Sequence, residues 1–115
     1  MLFLLLIYHD EGHWTSLPGD VRAGVYKDYR AFAEKTAKDG SYREGGELEA
    51  SSFAVMVRVR NGITATSRGP SEERREQLAG FFLIEAADID TAIAIAAQIP
   101  GARDGCVEVR AVRAG

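Results

Sequence analysis

Several things are scarce in this sequence, and each scarcity excludes a class of protein. There is one cysteine, Cys106, so no intrachain disulfide can form and a reducing compartment, the cytoplasm, is expected. There is no excess of positive charge: 14 basic residues stand against 17 acidic ones, a net charge of −3. A general nucleic-acid surface needs a basic patch to neutralise phosphates, so no nucleic-acid partner is expected. No apolar run approaches the ~20 residues that a membrane-crossing helix takes, so no membrane partner is expected either. The apolar start, Met1 to Tyr8, is stopped by His9, Asp10 and Glu11. It lacks the basic leader and small-residue cleavage site of a signal peptide. Internal repeats and low-complexity segments are absent, as are a phosphate loop, a dinucleotide fingerprint and a serine-nucleophile elbow. No cofactor is therefore called for.

What is present is the composition of an ordinary globular chain: 115 residues, 46% apolar and 27% charged. That length suits one domain, 1–115, and can bury enough surface to fold without a disulfide or metal. Leu2 to Tyr8 predicts a strand apolar on both faces, and His9 to Leu17 a loop. Pro18 opens a helix whose Val21, Val25, Tyr29, Phe32 and Thr36 fall at three- and four-residue steps, and Gly40 suits the left-handed residue past its end. Tyr42 to Leu48 predicts a weak strand. Phe53, Val55, Val57 and Val59 alternate with Ala54, Met56, Arg58 and Arg60, predicting a strand with one buried and one wetter face. Asn61-Gly62 turns it tightly into a return strand, Ile63 to Thr66. Ser67 to Gln77 is polar, and Leu78 to Ala86 is a second strongly apolar strand. Asp88 caps a helix over Ile89 to Ile99, which Pro100 ends. Cys106 to Val112 is the last strand.

With the hairpin treated as an insertion, this order is the βαββαβ plan of a ferredoxin-like α+β sandwich. Two helices cover one face of such a sheet. Yet Leu2–Ile7 and Phe81–Ile84 are apolar on both faces, and a patch of that size is rarely exposed on a monomer. A second copy would cover it by two-fold pairing, so a homodimer is expected; a hairpin folded back over the sheet is the alternative.

The run Glu76-Gln77-Leu78-Ala79-Gly80-Phe81-Phe82-Leu83-Ile84-Glu85, then Asp88-Ile89-Asp90 and Ala92, resembles the YCII-related family in its DGPF subgroup. So do Leu5-Leu6-Ile7-Tyr8 with Asp10-Glu11, Gly45-Gly46-Glu47-Leu48, Val57-Arg58-Val59-Arg60 and the ending Ala102 to Arg110. The subgroup's Asp-Gly-Pro-Phe reads Arg68-Gly69-Pro70-Ser71 here: the turn-forming glycine and proline remain, while the acid has become a base and the aromatic a small hydroxyl. The resemblance implies subunits pairing as a dimeric α+β barrel. It implies no settled activity, and it brings a sigma factor into view as a protein partner.

His9-Asp10-Glu11-Gly12-His13 has histidines four apart, but not the zinc-protease pattern. Gly12 speaks against a helix there, so no metal site is expected. His9 alone, at the end of the first strand, is the candidate general base. A small organic acid or aromatic molecule would meet Tyr8, Trp14 as a lid, Arg68, Gly69, Pro70, Glu73, Arg75 and Arg103. Arg103 is equally readable as a loop ion pair. Tyr26, Tyr29 and Phe32 read as core. The expected function is small-molecule binding, with enzymatic activity left open. The alternative is a non-catalytic regulatory module that meets a sigma factor.

Overall fold

The computed structural model describes residues 1–70 and 73–114; Ser71 of the altered turn motif and Glu72 of the polar stretch after it lie outside them. The elements are β1 (Leu2–His9), α1 (Glu11–Ser16), α2 (Gly19–Lys38), β2 (Tyr42–Glu47), β3 (Val55–Arg60), β4 (Ile63–Arg68), β5 (Gln77–Glu85), α3 (Ile89–Ala96), α4 (Gly101–Asp104) and β6 (Cys106–Ala111). A 3-10 turn, Ser51–Phe53, leads into β3. Four strands form one sheet in the order β2-β5-β1-β6, every neighbour antiparallel. That is the expected ferredoxin-like plan, with the two most apolar strands side by side at its centre.

Strand alternation divides the apolar residues between two faces. Phe3, Leu5 and Ile7 of β1 join Phe82 and Ile84 of β5 under Phe32, Ala92, Ala96 and Ile99, all buried. Within this core Leu5 pairs with Phe82 and Phe3 with Ile84. The small alanines let α3 lie close to the sheet. On the opposite face Leu4 pairs with Leu83 and Leu6 with Phe81; all four are half-buried, with no helix above them among the described residues. The stripe on α2 holds at Phe32 and Thr36, which are buried, whereas Val21 at its start stays exposed. Gly40 has φ +84°, as the helix end requires.

Three expectations are corrected, and one alternative is set aside. Residues 11–16 are helical: Asp10 accepts from the His13 amide at 3.1 Å, and this cap outweighs the cost of Gly12 in so short an element. The second long helix stops at Ala96, and the chain after Pro100 makes a separate turn, α4. The strand β3 has no buried face: Val55, Val57 and Val59 are 57–59% exposed. Nor does the hairpin fold over the sheet. Asn61 (φ 53°) and Gly62 (φ 76°) form the tight turn, but among the described residues β3 and β4 pair only with each other. They stand out as an arm, which helps raise the radius of gyration to 16.0 Å, against about 13 Å for a compact chain of this length.

Candidate functional site

The C-terminal end of β1 and the start of β5 lie together, His9 opposite Gln77, and the register shifts between Ile7 and Tyr8. Ile7 faces Gly80 and Tyr8 faces Leu78, so Ala79 is the extra residue of a bulge. The bulge marks the rim of an open hollow of about 1470 Å³, walled by β1, α1, α2, the end of β2 and α4.

An aromatic series crosses this hollow. The His9 ring stacks on Trp14 (centroids 5.7 Å apart, planes at 23°), and Trp14 meets Tyr26 edge-on at 5.5 Å. The Tyr26 hydroxyl donates to Glu47 Oε1 at 3.0 Å. The series thus joins β1, α1, α2 and β2, which is why the short helix matters: it turns Trp14 back over the strand end. Deeper in, the Tyr29 hydroxyl accepts from the Gly101 amide at 3.1 Å. A side chain at Gly101 would collide with that hydroxyl and with Ile7. Burial and the Glu47 carboxylate push the Tyr26 phenol above its ordinary range, and burial does the same to Tyr29. Both remain protonated donors at neutral pH.

On the sheet's other face, the Tyr8 hydroxyl donates to Glu108 Oε1 at 3.0 Å, and the Arg74 guanidinium sits 5.1 Å from the Tyr8 ring centre. Burial, then the Glu108 contact, raises the Tyr8 phenol. The Cys106 thiol lies 3.6 Å from Glu76 Oε1; burial and that carboxylate hold it protonated, and so poorly nucleophilic. Two contacts tie the rim together. The Glu11 amide donates to Gln77 Oε1 at 2.9 Å, and the Glu11 carboxylate accepts from Ser51 N and Oγ at 2.7 and 2.8 Å.

Of the residues singled out in the sequence, Tyr8, His9, Trp14, Arg75 and Arg103 line this hollow. Arg103 also makes the ion pair that was its other reading, Nη2 to Asp28 Oδ2 at 3.5 Å. Pro70 lines a smaller hollow of about 500 Å³ with Tyr8, Leu78 and the root of the arm. Arg68, Gly69 and Glu73 are not among the residues lining either one. Gly69 has φ +88°, and its amide closes the root of the arm on the Ala54 carbonyl at 2.7 Å. Sequence reasoning missed Arg74, Glu47 and Glu108; of the two tyrosines it assigned to the core, Tyr29 does pack against it, stacked on Phe82, while Tyr26 is exposed. Helical spacing marked both tyrosines, but only the position of α2 shows that they face a hollow. Among the described residues, no group of three or more His, Cys, Asp or Glu side chains is placed to hold a metal. Among the described residues, no helix is long and apolar enough to cross a membrane.

One comparison agrees with this architecture, and two more with the sequence. A solved structure of 5-chloro-2-hydroxyhydroquinone dehydrochlorinase from Burkholderia phenoliruptrix, in complex with 2,5-dihydroxybenzoquinone, superimposes with a TM-score of 0.55. It is 18% identical, over 100% of this chain and 96% of its own. An uncharacterized protein of Rhizobium meliloti (strain 1021) is 31% identical over 112 residues, 96% of this chain and 90% of the relative. The YCII-related domain matches residues 1–114. With that match over nearly its whole length, the chain belongs to the YCII-related family.

Proposed function

We propose that this protein binds a small, ring-bearing organic molecule in the hollow at the end of β1 and turns it over with His9 as the proton acceptor. The observation that carries the reading is the His9–Trp14–Tyr26 series, which sets flat apolar walls beside an imidazole and protonated phenols. Small-molecule sites generally combine such walls with a few placed polar groups. Tyr8, Arg75 and Arg103 would supply contacts at the rim, Trp14 the lid, and Pro70 a contact in the smaller hollow. The dehydrochlorinase of similar fold holds a dihydroxybenzoquinone, so small cyclic phenols and quinones are the first class to try. The departures at Arg68 and Ser71 would make any chemistry here differ from that of chains with the usual DGPF turn. We further propose that the chain works in the cytoplasm, as one domain and as a homodimer paired through the open sheet face. The regulatory alternative, with a sigma factor as partner, gains no support from these relatives.

Trp14 is the only tryptophan, so its fluorescence reports the hollow directly. Titration with hydroxylated benzoquinones and aromatic acids should give saturable changes in the wild type. Tyr26→Ala should weaken binding at least tenfold, and His9→Ala should bind but not turn over any ligand that proves to be a substrate. The reading fails if no member of the panel gives a saturable change up to millimolar concentration, or if Tyr26→Ala binds as tightly as the wild type.

A further inference from the structure

The arm formed by β3 and β4 is an unexplained object in a single chain. An isolated two-stranded hairpin is marginal in water, because it has no third strand or helix to bury a face against. Here both strands are paired in full register from Val55–Arg68 to Arg60–Ile63, yet almost every residue of them is exposed. One face presents Val55, Val57 and Val59 across from Arg68, Thr66 and Thr64. With Phe53 (67% exposed) at the root, this is a row of large apolar side chains in solvent, while Ile63 (70%) stands on the other face, opposite Arg60. A chain gains nothing by holding such a row in water unless something covers it.

We propose that the arm of one protomer docks along a second copy of this chain, with Val55, Val57 and Val59 turned toward it. The inference rests on the homodimer proposed above and adds a contact that sheet pairing alone does not require. Charge selects the partner. From Phe53 to Arg68 the arm carries Arg58, Arg60 and Arg68 and no acid. That leaves 11 of the 14 basic residues against all 17 acids in the rest of the chain. A basic arm therefore meets an acidic body in every copy: Arg68 stands on the valine face opposite Val55, and Arg58 and Arg60, on the reverse face, act through the arm's long-range field, which favours and orients association. Symmetry selects it again, since a two-fold axis lets both arms be covered by the same contact made twice. The docked arm would also have a consequence for the site. Its root residues Phe53, Ala54 and Met56 form one wall of the smaller hollow, opposite Tyr8 and Leu78. Pairing would fix a wall that a free arm leaves loose.

Sedimentation of the wild type, Val57→Asp and the double variant Arg58→Ser, Arg60→Ser gives the test. Val57 faces solvent within one chain, so Val57→Asp should leave the protomer folded, checked by circular dichroism. The wild type should be dimeric at micromolar concentration, with a dimer constant at least tenfold weaker in Val57→Asp. The arginine variant should be weaker at low salt and converge on the wild type at high salt. Amide exchange supplies a readout free of mutation: residues 55–68 should be protected in the dimer and lose protection on dilution. A wild-type dimer with equal constants in all three proteins, or an arm that exchanges fast within the dimer, overturns arm docking and leaves sheet pairing standing. A monomeric wild type overturns both.

Discussion

A Cβ built on Gly105 would run into the Tyr8 carbonyl and the backbone of His9, so the turn from α4 into β6 closes against β1 only without a side chain. Backbone cannot step aside as a side-chain tip can. Gly105→Ala should therefore destabilise the fold by about 2–3 kcal/mol, the upper part of the usual overpacking range. Gly24, inside α2, meets nothing within 4 Å, and Gly24→Ala should stabilise by roughly 0.5–1 kcal/mol because alanine has less freedom to lose. Urea unfolding of the two variants checks both signs, and equal midpoints would show the close approach at Gly105 to be wrong. At this scale the sequence was only partly legible. Tyr8, His9 and Trp14 could be singled out because they follow an apolar strand. Glu108 could not, because its meeting with Tyr8 depends on the pairing of β1 with β6, and a register between strands a hundred residues apart leaves no local mark.

Elements were more legible than residues, since periodicity and end signals are local. Asp88 was readable as a cap and is one: its carboxylate accepts from the Thr91 amide at 2.8 Å. That hydrogen bond holds the carboxyl below the usual carboxylate range. A group depressed in the folded state contributes stability above its unfolded value, and loses it as pH falls through the lower folded one. Asp88→Ala should lower the melting temperature at pH 7, and the gap should narrow progressively as pH drops below about 4. A gap that is constant from pH 7 to 2 would mean the carboxylate is not the cap. Two elements were misread for the same reason, that a pattern does not say what it packs against. Gly12 suggested a loop where Asp10 nonetheless caps a helix. The valine alternation in β3 suggested a buried face, and the structure leaves both faces of that strand in solvent.

Strand order over the whole molecule was legible because two strongly apolar strands must take the centre of the sheet, and β1 and β5 do. The same feature leads to the last prediction. The helices cover the face of Phe3, Leu5 and Ile7, so Leu4, Leu6, Phe81 and Leu83 form a half-buried apolar floor with no helix above it among the described residues. Leu6 lies at the middle of that floor, paired with Phe81 and flanked by Glu108. In a two-fold pair a carboxylate at position 6 would be taken out of water without a counter-ion, a cost of about 3 kcal/mol or more and over a hundredfold in the dimer constant. In the monomer it would face solvent and leave the buried core unchanged. Leu6→Glu should therefore be a folded monomer near 12.5 kDa where the wild type runs at twice that mass. Ile93→Glu supplies the control: it alters an isoleucine of similar size that is 51% exposed on α3, and it should leave the mass at the dimer value. Light scattering of the three proteins at equal concentration decides the matter. Should Leu6→Glu remain dimeric while Ile93→Glu dissociates, the pairing would run through the helix layer, and the apolar floor would need another cover.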